Sequence, residues 1–203
     1  MNRGWLRWGG IGGLLGMVLL LVSGCHSLQA ITNSTIARKT EPTTEPLLRL
    51  ETGMHTAPIT RLTTDREGRW VVTASEDKTA RVWEVASGRL LRVWRPPQGD
   101  GDEGKLYAVA LSPDGTTMAL GGWTQFHDGQ NTLAPDGHSI YLVDRESGRL
   151  LHRIAGLPNV VTHLAYSPDG RWLGASLGDA GVRLFDAASG TEAGRDADYK
   201  GAS

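Results

Sequence analysis

The stretch ITRLTTDREGRWVVTASEDKTARVWEVASGRLLRVW, Ile59–Trp94, decides the fold. Short runs of β-branched and apolar residues are separated by turn residues around Gly68, Asp77 and Gly88. That alternation predicts an antiparallel meander of four strands. The pattern returns as YAVALSPDGTTMALGG with SIYLVDRESGRLLHRI from Tyr107, and as VTHLAYSPDGRWLGASLGDAGVRLFDAASG from Val161. Each copy has an apolar strand, an SPDG-like turn, a second strand, a third strand and an SG turn. A repeat of this kind predicts an architecture before any single residue predicts a chemistry.

The turns fix the period. The first-turn glycines Gly68, Gly115 and Gly170 lie 47 and 55 residues apart, and the third-strand positions Trp83, Val143 and Phe185 lie 60 and 42 apart. The undecorated unit is therefore about 42 residues, inside the ~40–45 of four-stranded propeller blades. The excess sits in two insertions, Pro96–Gly104 and Trp123–His138.

SEDKTARVWEV with the upstream His55 resembles a WD repeat, and the resemblance spans roughly Leu47–Ala193. His55 stands where that family has its loop histidine, Thr73 and Ser75 in the second strand, Asp77 in the tight turn and Trp83 in the third strand. The resemblance implies a structural hydrogen-bonded tetrad inside the first blade, since buried indole, hydroxyl, imidazole and carboxylate groups must find partners. If the indole is buried, Trp83→Ala is expected to cost ~3–5 kcal/mol. Copies two and three depart from the pattern. Asp102 and Leu157 occupy the histidine position, and Val143 and Phe185 replace the tryptophan, although Asp179 keeps the turn position. The expected fold is all-β: about three four-stranded WD-like blades, with the ring incomplete in this chain.

The N-terminus reads as a secretory signal. Arg3 and Arg7 precede an apolar run, Ile11–Val22, of 12 residues. A membrane span needs ~18 or more, so the run fits a signal-peptide core. Val22-Ser23-Gly24-Cys25 then resembles a bacterial lipobox, which implies cleavage before Cys25 and a diacylglycerol on its thiol; cleavage after Ala30 is the alternative. The resemblance, with His26 rather than Asp after the cysteine, implies a periplasm-facing anchor in the outer membrane. Cys25 is the only cysteine, so no intramolecular disulfide can form. The expected organisation is a signal at 1–24, a flexible tether at 25–46 and a propeller region at 47–203. Its blades are expected near 47–96, 97–155 and 156–195, with the start of another at 196–203. The formal net charge is −1 without a clustered basic stripe, which excludes a nucleic-acid footprint.

Propellers close with 4–8 blades. The segment Leu47–Leu50 precedes His55 as an outer fourth strand would, without three strands before it. This predicts the N-terminal part of a longer propeller; the alternative is an open unit completed by other copies. In WD-repeat blades, the loops between second and third strands and between blades share one face. Both insertions fall in that set, so they are expected to be neighbours there. Elaborated loops on one side of a rigid scaffold are where binding usually lives. Trp123, Phe126 and His127 are the expected partner-binding residues, the aromatics as anchors.

Several motifs resemble catalytic or metal sites. Gly174–Gly178 satisfies G-x-S-x-G around Ser176, but a nucleophile elbow needs a strand, a sharp turn and a helix. Gly99–Lys105 resembles a phosphate loop, yet Leu106 replaces its Ser/Thr, and Asp100, Asp102 and Glu103 would repel phosphate. Those carboxylates suit Ca²⁺ chemically but lack an EF-hand layout, and a solvated acidic turn is the simpler reading. His127, Asp128, Asp136 and His138 have zinc-ligand chemistry, while such residues in Gly-rich loops usually form turns. The expectation is therefore no catalytic residue, no metal and no cofactor. The expected function is a non-catalytic protein-interaction scaffold anchored at the bacterial cell envelope, with an unidentified protein partner. The alternative is the sensory or targeting propeller of a larger enzyme with a caspase-like or kinase domain further on. A third option, a propeller enzyme with a metal or quinone in its channel, lacks ligands in this sequence.

Overall fold

The computed structural model describes residues 53–125 and 137–196. These residues form twelve strands and, among themselves, no helix. The first sheet contains β1 (Ile59–Thr64), β2 (Trp70–Ser75), β3 (Ala80–Glu84) and β4 (Leu90–Trp94). The second contains β5 (Leu106–Leu111), β6 (Thr117–Gly122), β7 (His138–Asp144) and β8 (Leu150–Leu157). The third contains β9 (Val161–Tyr166), β10 (Trp172–Leu177), β11 (Val182–Asp186) and β12 (Glu192–Asp196). Each sheet is an antiparallel meander in sequence order, with its first strand beside the first strand of the next sheet. The all-β class and the three four-stranded blades are as the repeat predicts, and the three blades do not close a ring. The outer strand β8 ends at Leu157, past the boundary expected at 155, because Leu157 pairs with His138. Leu47–Leu50 lies outside the described residues.

The repeated turns are explained by their side chains. Ser112 Oγ accepts the Thr117 amide at 2.9 Å, and Ser167 Oγ accepts the Trp172 amide at 2.9 Å. Asp65 takes the serine's place in the first blade, accepting the Arg69 amide at 2.7 Å and the Trp70 amide at 3.0 Å. Gly68, Gly115 and Gly170 have φ of +65°, +76° and +77°, a region glycine enters without the Cβ penalty. At the later turns Asp144 and Asp186 accept the amides of Ser147 (2.7 Å) and Ser189 (2.9 Å). The SPDG and SG motifs are thus turn chemistry.

Packing follows the strand alternation, which sends successive side chains to opposite faces. Each blade has a front facing the preceding blade and a back facing the following one. Val72, Ala74, Ala80 and Val82 on the back of blade one meet Leu106, Val109, Met118, Leu120 and Tyr141 on the front of blade two. Ala108, Ala110, Ala119 and Leu142 on the back of blade two meet Leu164, Leu173, Leu177 and Phe185 of blade three. Alanines on each back leave room for the Leu, Met, Tyr and Phe side chains of the next front, so consecutive blades interlock. Each fully buried Leu or Phe contributes roughly 1.5–3 kcal/mol. Blade two is covered on both faces, and its strands β6 and β7 are almost wholly buried.

One contact between the first two blades is aromatic. The Trp70 ring lies between the Arg69 guanidinium, 4.2 Å from its centroid, and that of Arg145, 3.9 Å away. A Cβ at Gly115 would sit 2.7 Å from this ring, so glycine is what lets the indole approach.

Candidate functional site

The first blade contains a continuous hydrogen-bonded chain. Trp83 Nε1–H donates to Thr73 Oγ1 at 3.0 Å, Thr73 Oγ1 lies 2.7 Å from His55 Nε2, and His55 Nδ1 lies 2.8 Å from Asp77 Oδ2. A neutral His55 carrying its proton on Nδ1 satisfies all three links, with Thr73 donating to Nε2. Asp77 also accepts the Thr56 amide (3.1 Å), the Thr79 amide (2.9 Å) and the Thr79 hydroxyl (2.6 Å). Burial pushes the Asp77 carboxyl up, but hydrogen bonds from Thr79, His55 and Thr56 outweigh it and hold the group below its ordinary value.

The structure brings together His55, Thr73, Asp77 and Trp83, and it leaves Ser75 outside the chain. Ser75 points to the same face as Thr73 but sits two residues nearer the turn. Its hydroxyl donates to the Ala57 carbonyl at 3.1 Å and accepts the Asp77 amide at 3.1 Å, so it anchors the incoming segment. Thr79 was not singled out from sequence, although an Asp followed two residues later by Thr is the signature of an Asx turn. Both ring nitrogens of His55 and the Asp77 carboxylate have their partners within the blade, and Thr73 beside the imidazole is buried.

The described ends of the two insertions, Gly104 and Trp123, meet beside the β5–β6 pair. The Gly104 amide donates to the Trp123 carbonyl at 2.8 Å, and the Trp123 amide donates to Lys105 at 2.9 Å. Lys105 Nζ reaches Asp102 at 2.8 Å and Glu76 at 3.0 Å, tying the inter-blade loop to the tight turn of blade one. These carboxylates raise the Lys105 ammonium well above its ordinary value, the Asp102 hydrogen bond most. Beside them Trp123 is half-buried, its ring packed edge-on to His138 with centroids 5.6 Å apart. Thr124, fully buried, links the loop to β7 through the Ser139 carbonyl (2.8 Å) and the Ser139 amide (2.7 Å). His138 Nδ1 accepts the Thr124 amide at 3.2 Å. Burial lowers the His138 imidazole, against an opposing hydrogen bond with the Gly122 backbone. This Thr124–His138–Ser139 cluster had no sequence signal, since its two halves are separated by the insertion. Phe126, His127, Asp128 and Asp136 lie outside the described residues, as does Cys25.

The other motifs have structural surroundings. Ser176 lies inside β10 with its Oγ 2.9 Å from Thr162 Oγ1, and a strand rather than a helix follows. Lys105, the lysine of the phosphate-loop resemblance, is held by carboxylates. Glu103 is buried in its own loop, and Asp102 pairs with Lys105. Among the described residues no three His, Cys, Asp or Glu side chains form a metal-binding group. An open cavity of about 420 Å³ follows the inner strands β1, β5 and β9, lined by Arg61, Arg66, His163 and Tyr166 among others.

The class these observations define is a set of four-stranded β-propeller blades. Two stretches, residues 47–84 and 148–186, match the WD40 family, described as "WD domain, G-beta repeat". Strands β1–β3 and β8–β11 thus lie in stretches similar to WD40 repeats, and the three sheets have the form of propeller blades. Among similar proteins, "WD repeat-containing protein 62" of Mus musculus is 31% identical over 117 residues, 58% of this chain and 7% of that protein. "Small ribosomal subunit protein RACK1y" of Oryza sativa subsp. japonica is 30% identical over 117 residues, 57% of this chain and 29% of that protein. "Ribosome biogenesis protein BOP1 homolog" of Arabidopsis thaliana is 44% identical over 46 residues, 23% of this chain and 6% of that protein. The chain thus spans less than a third of each relative. Among solved structures, the RRP9 WD40 repeats superpose with a TM-score of 0.57 at 22% identity, covering 70% of this chain and 39% of that one. That likeness is one of fold.

Proposed function

We propose that this chain is a WD-repeat interaction scaffold, lipid-anchored through Cys25 at a bacterial cell envelope, whose protein partner docks on the loop face around Trp123. WD40 repeats point to protein interaction as the role, although fold alone does not fix function. The observation that supports the site is the contact between the described ends of the two insertions, Gly104 and Lys105 with Trp123. The remaining turns are short and spend their polar groups on themselves. An aromatic held half-exposed on a rigid frame loses little freedom on docking, which is what makes such residues anchors.

The test uses the full chain in a bacterium grown with labelled palmitate and carrying a photo-crosslinking residue at Gln125 or, as control, at Glu146 on the opposite face. The expected result is a discrete protein adduct from position 125 only, reduced by Trp123→Ala without loss of folded protein. Palmitate labelling is expected to disappear in Cys25→Ala. An adduct from 146 alone, or none from 125, refutes the docking face. Labelling that persists without Cys25 refutes the anchor.

A further inference from the structure

The seam between blades one and two opens at its outer edge into a notch of about 490 Å³, lined by Trp70, Glu84, Arg89, Arg92, Arg145 and Glu146 among others. Both walls belong to described strands and turns: β2–β4 on one side and the β7–β8 turn on the other. Arg145 lies over the Trp70 ring, and its Nε donates to the Gly115 carbonyl at 2.7 Å. Its two terminal nitrogens have no acceptor among the described residues. Arg92, half-buried on β4, lies against the β7–β8 turn, where a Cβ at Gly148 would stand 3.3 Å from its Nη1. Among the described residues Arg92 has neither a hydrogen bond nor an ion pair. Arg89 Nη2 is 3.6 Å from Glu84, whose carboxylate accepts the Ser87 hydroxyl at 2.5 Å. Glu146 stands exposed at the rim.

Blade architecture does not require these cations. The seam between blades two and three is built from the same pairings. His152 pairs with Leu142 as Arg92 pairs with Val82, and the Ala187 amide bonds the Arg171 carbonyl as the Arg145 amide bonds that of Thr116. There the counterparts of Trp70, Arg92 and Arg145 are Thr117, His152 and Ala187. Gly190, the counterpart of Gly148, meets Ile154 rather than an arginine. Only the first seam gathers guanidiniums from two blades. Like charges held together without counter-charges repel one another, and an anion between them removes that cost.

We propose that this notch binds a phosphate monoester group, held between Arg92 of blade one and Arg145 of blade two, with Arg89 supplying a third donor from the rim. A guanidinium presents a planar fork of N–H donors that matches a pair of phosphate oxygens. A monoester carries nearly two negative charges at neutral pH and three acceptor oxygens, enough to engage three arginines at once. A carboxylate offers one charge and two oxygens. Trp70 holds Arg145 by cation–π contact, so this fork is oriented before the ligand arrives and loses little freedom on binding. A free phosphate ester and a phosphomonoester lipid headgroup present the same chemistry to the notch.

The test is calorimetric titration of the full chain in detergent at low ionic strength, with inorganic phosphate as the probe. Binding at millimolar phosphate is expected, and acetate should bind at least ~10-fold more weakly, one charge-assisted hydrogen bond being worth that factor or more. Arg92→Gln removes a side chain without partners in the fold, so far-UV circular dichroism should stay native while phosphate affinity falls at least ~10-fold. Arg89→Gln, at an exposed side chain, supplies the same test if Arg92→Gln fails to fold. Glu146→Gln removes a carboxylate from the rim and should tighten binding ~2-fold or more. Short-chain phosphatidic acid and glycerol 3-phosphate then separate the two sources. Tighter binding of the lipid, lost in Arg92→Gln, assigns a headgroup, and equal binding of the two assigns a free ester. No heat at millimolar phosphate overturns the proposal. So does an equal response to acetate, or an affinity that neither arginine change moves.

Discussion

Replacing Thr73 by Val keeps the shape of the side chain and removes the one oxygen that joins Trp83 to His55. Both neighbours lose a partner at once: the indole N–H at 3.0 Å and the imidazole Nε2 at 2.7 Å. Thr73 and the His55 side chain are buried, so water cannot freely substitute. A buried polar group left unsatisfied costs ~1–3 kcal/mol. Trp83 is only half-buried and recovers part of its share, so the expected loss is about 2–4 kcal/mol. For a propeller segment of this size that is a drop in Tm of roughly 5–15 °C. Thr73→Ser supplies the control, since it keeps the hydroxyl and loses a methyl worth about 0.8 kcal/mol. Urea melts followed by far-UV circular dichroism and tryptophan fluorescence would measure both variants. If Thr73→Val is no less stable than Thr73→Ser, the hydrogen-bonded chain does not hold the blade together and the reasoning fails.

Two further outcomes are expected from local geometry and charge. Gly115→Ala meets both a left-handed backbone (φ +76°) and the Trp70 ring at 2.7 Å, whereas Gly68→Ala meets the backbone penalty with open space. Gly68→Ala should cost ~1–2 kcal/mol and Gly115→Ala clearly more, with equal costs in urea melts refuting the packing role of Gly115. Asp65 concerns pH. Burial pushes its carboxyl up, but the Trp70 amide and the Arg69 guanidinium and amide more than offset this and hold it below its ordinary value. A carboxyl depressed on folding adds stability that is complete above its unfolded value, ~3.9, and is lost as pH falls through the lower folded one. Asp65→Asn should therefore be less stable at neutral pH and should lose less than the parent below about pH 4. An unchanged acid limb in denaturant melts taken across that range would show that Asp65 contributes nothing there.

Periodicity alone was enough to determine the all-β class, the four-strand unit and the turn positions. Period-two alternation and left-handed glycines are local requirements, satisfied by residues next to one another in the chain. His55, Asp77 and Trp83 were legible for a related reason: their spacing resembles that of a known repeat. Only the tertiary structure separated Thr73 from Ser75. Both hydroxyls point the same way from β2, and the approach of the 55–57 segment decides which one meets the imidazole. The Trp70 stack and the Thr124–His138–Ser139 cluster were likewise hidden, because each joins residues from separate strands. The same holds for the faces of the end blades. Leu62 reads like Val109 and Leu164 in sequence, yet only Leu62 is left uncovered, since burial depends on which neighbour stands opposite.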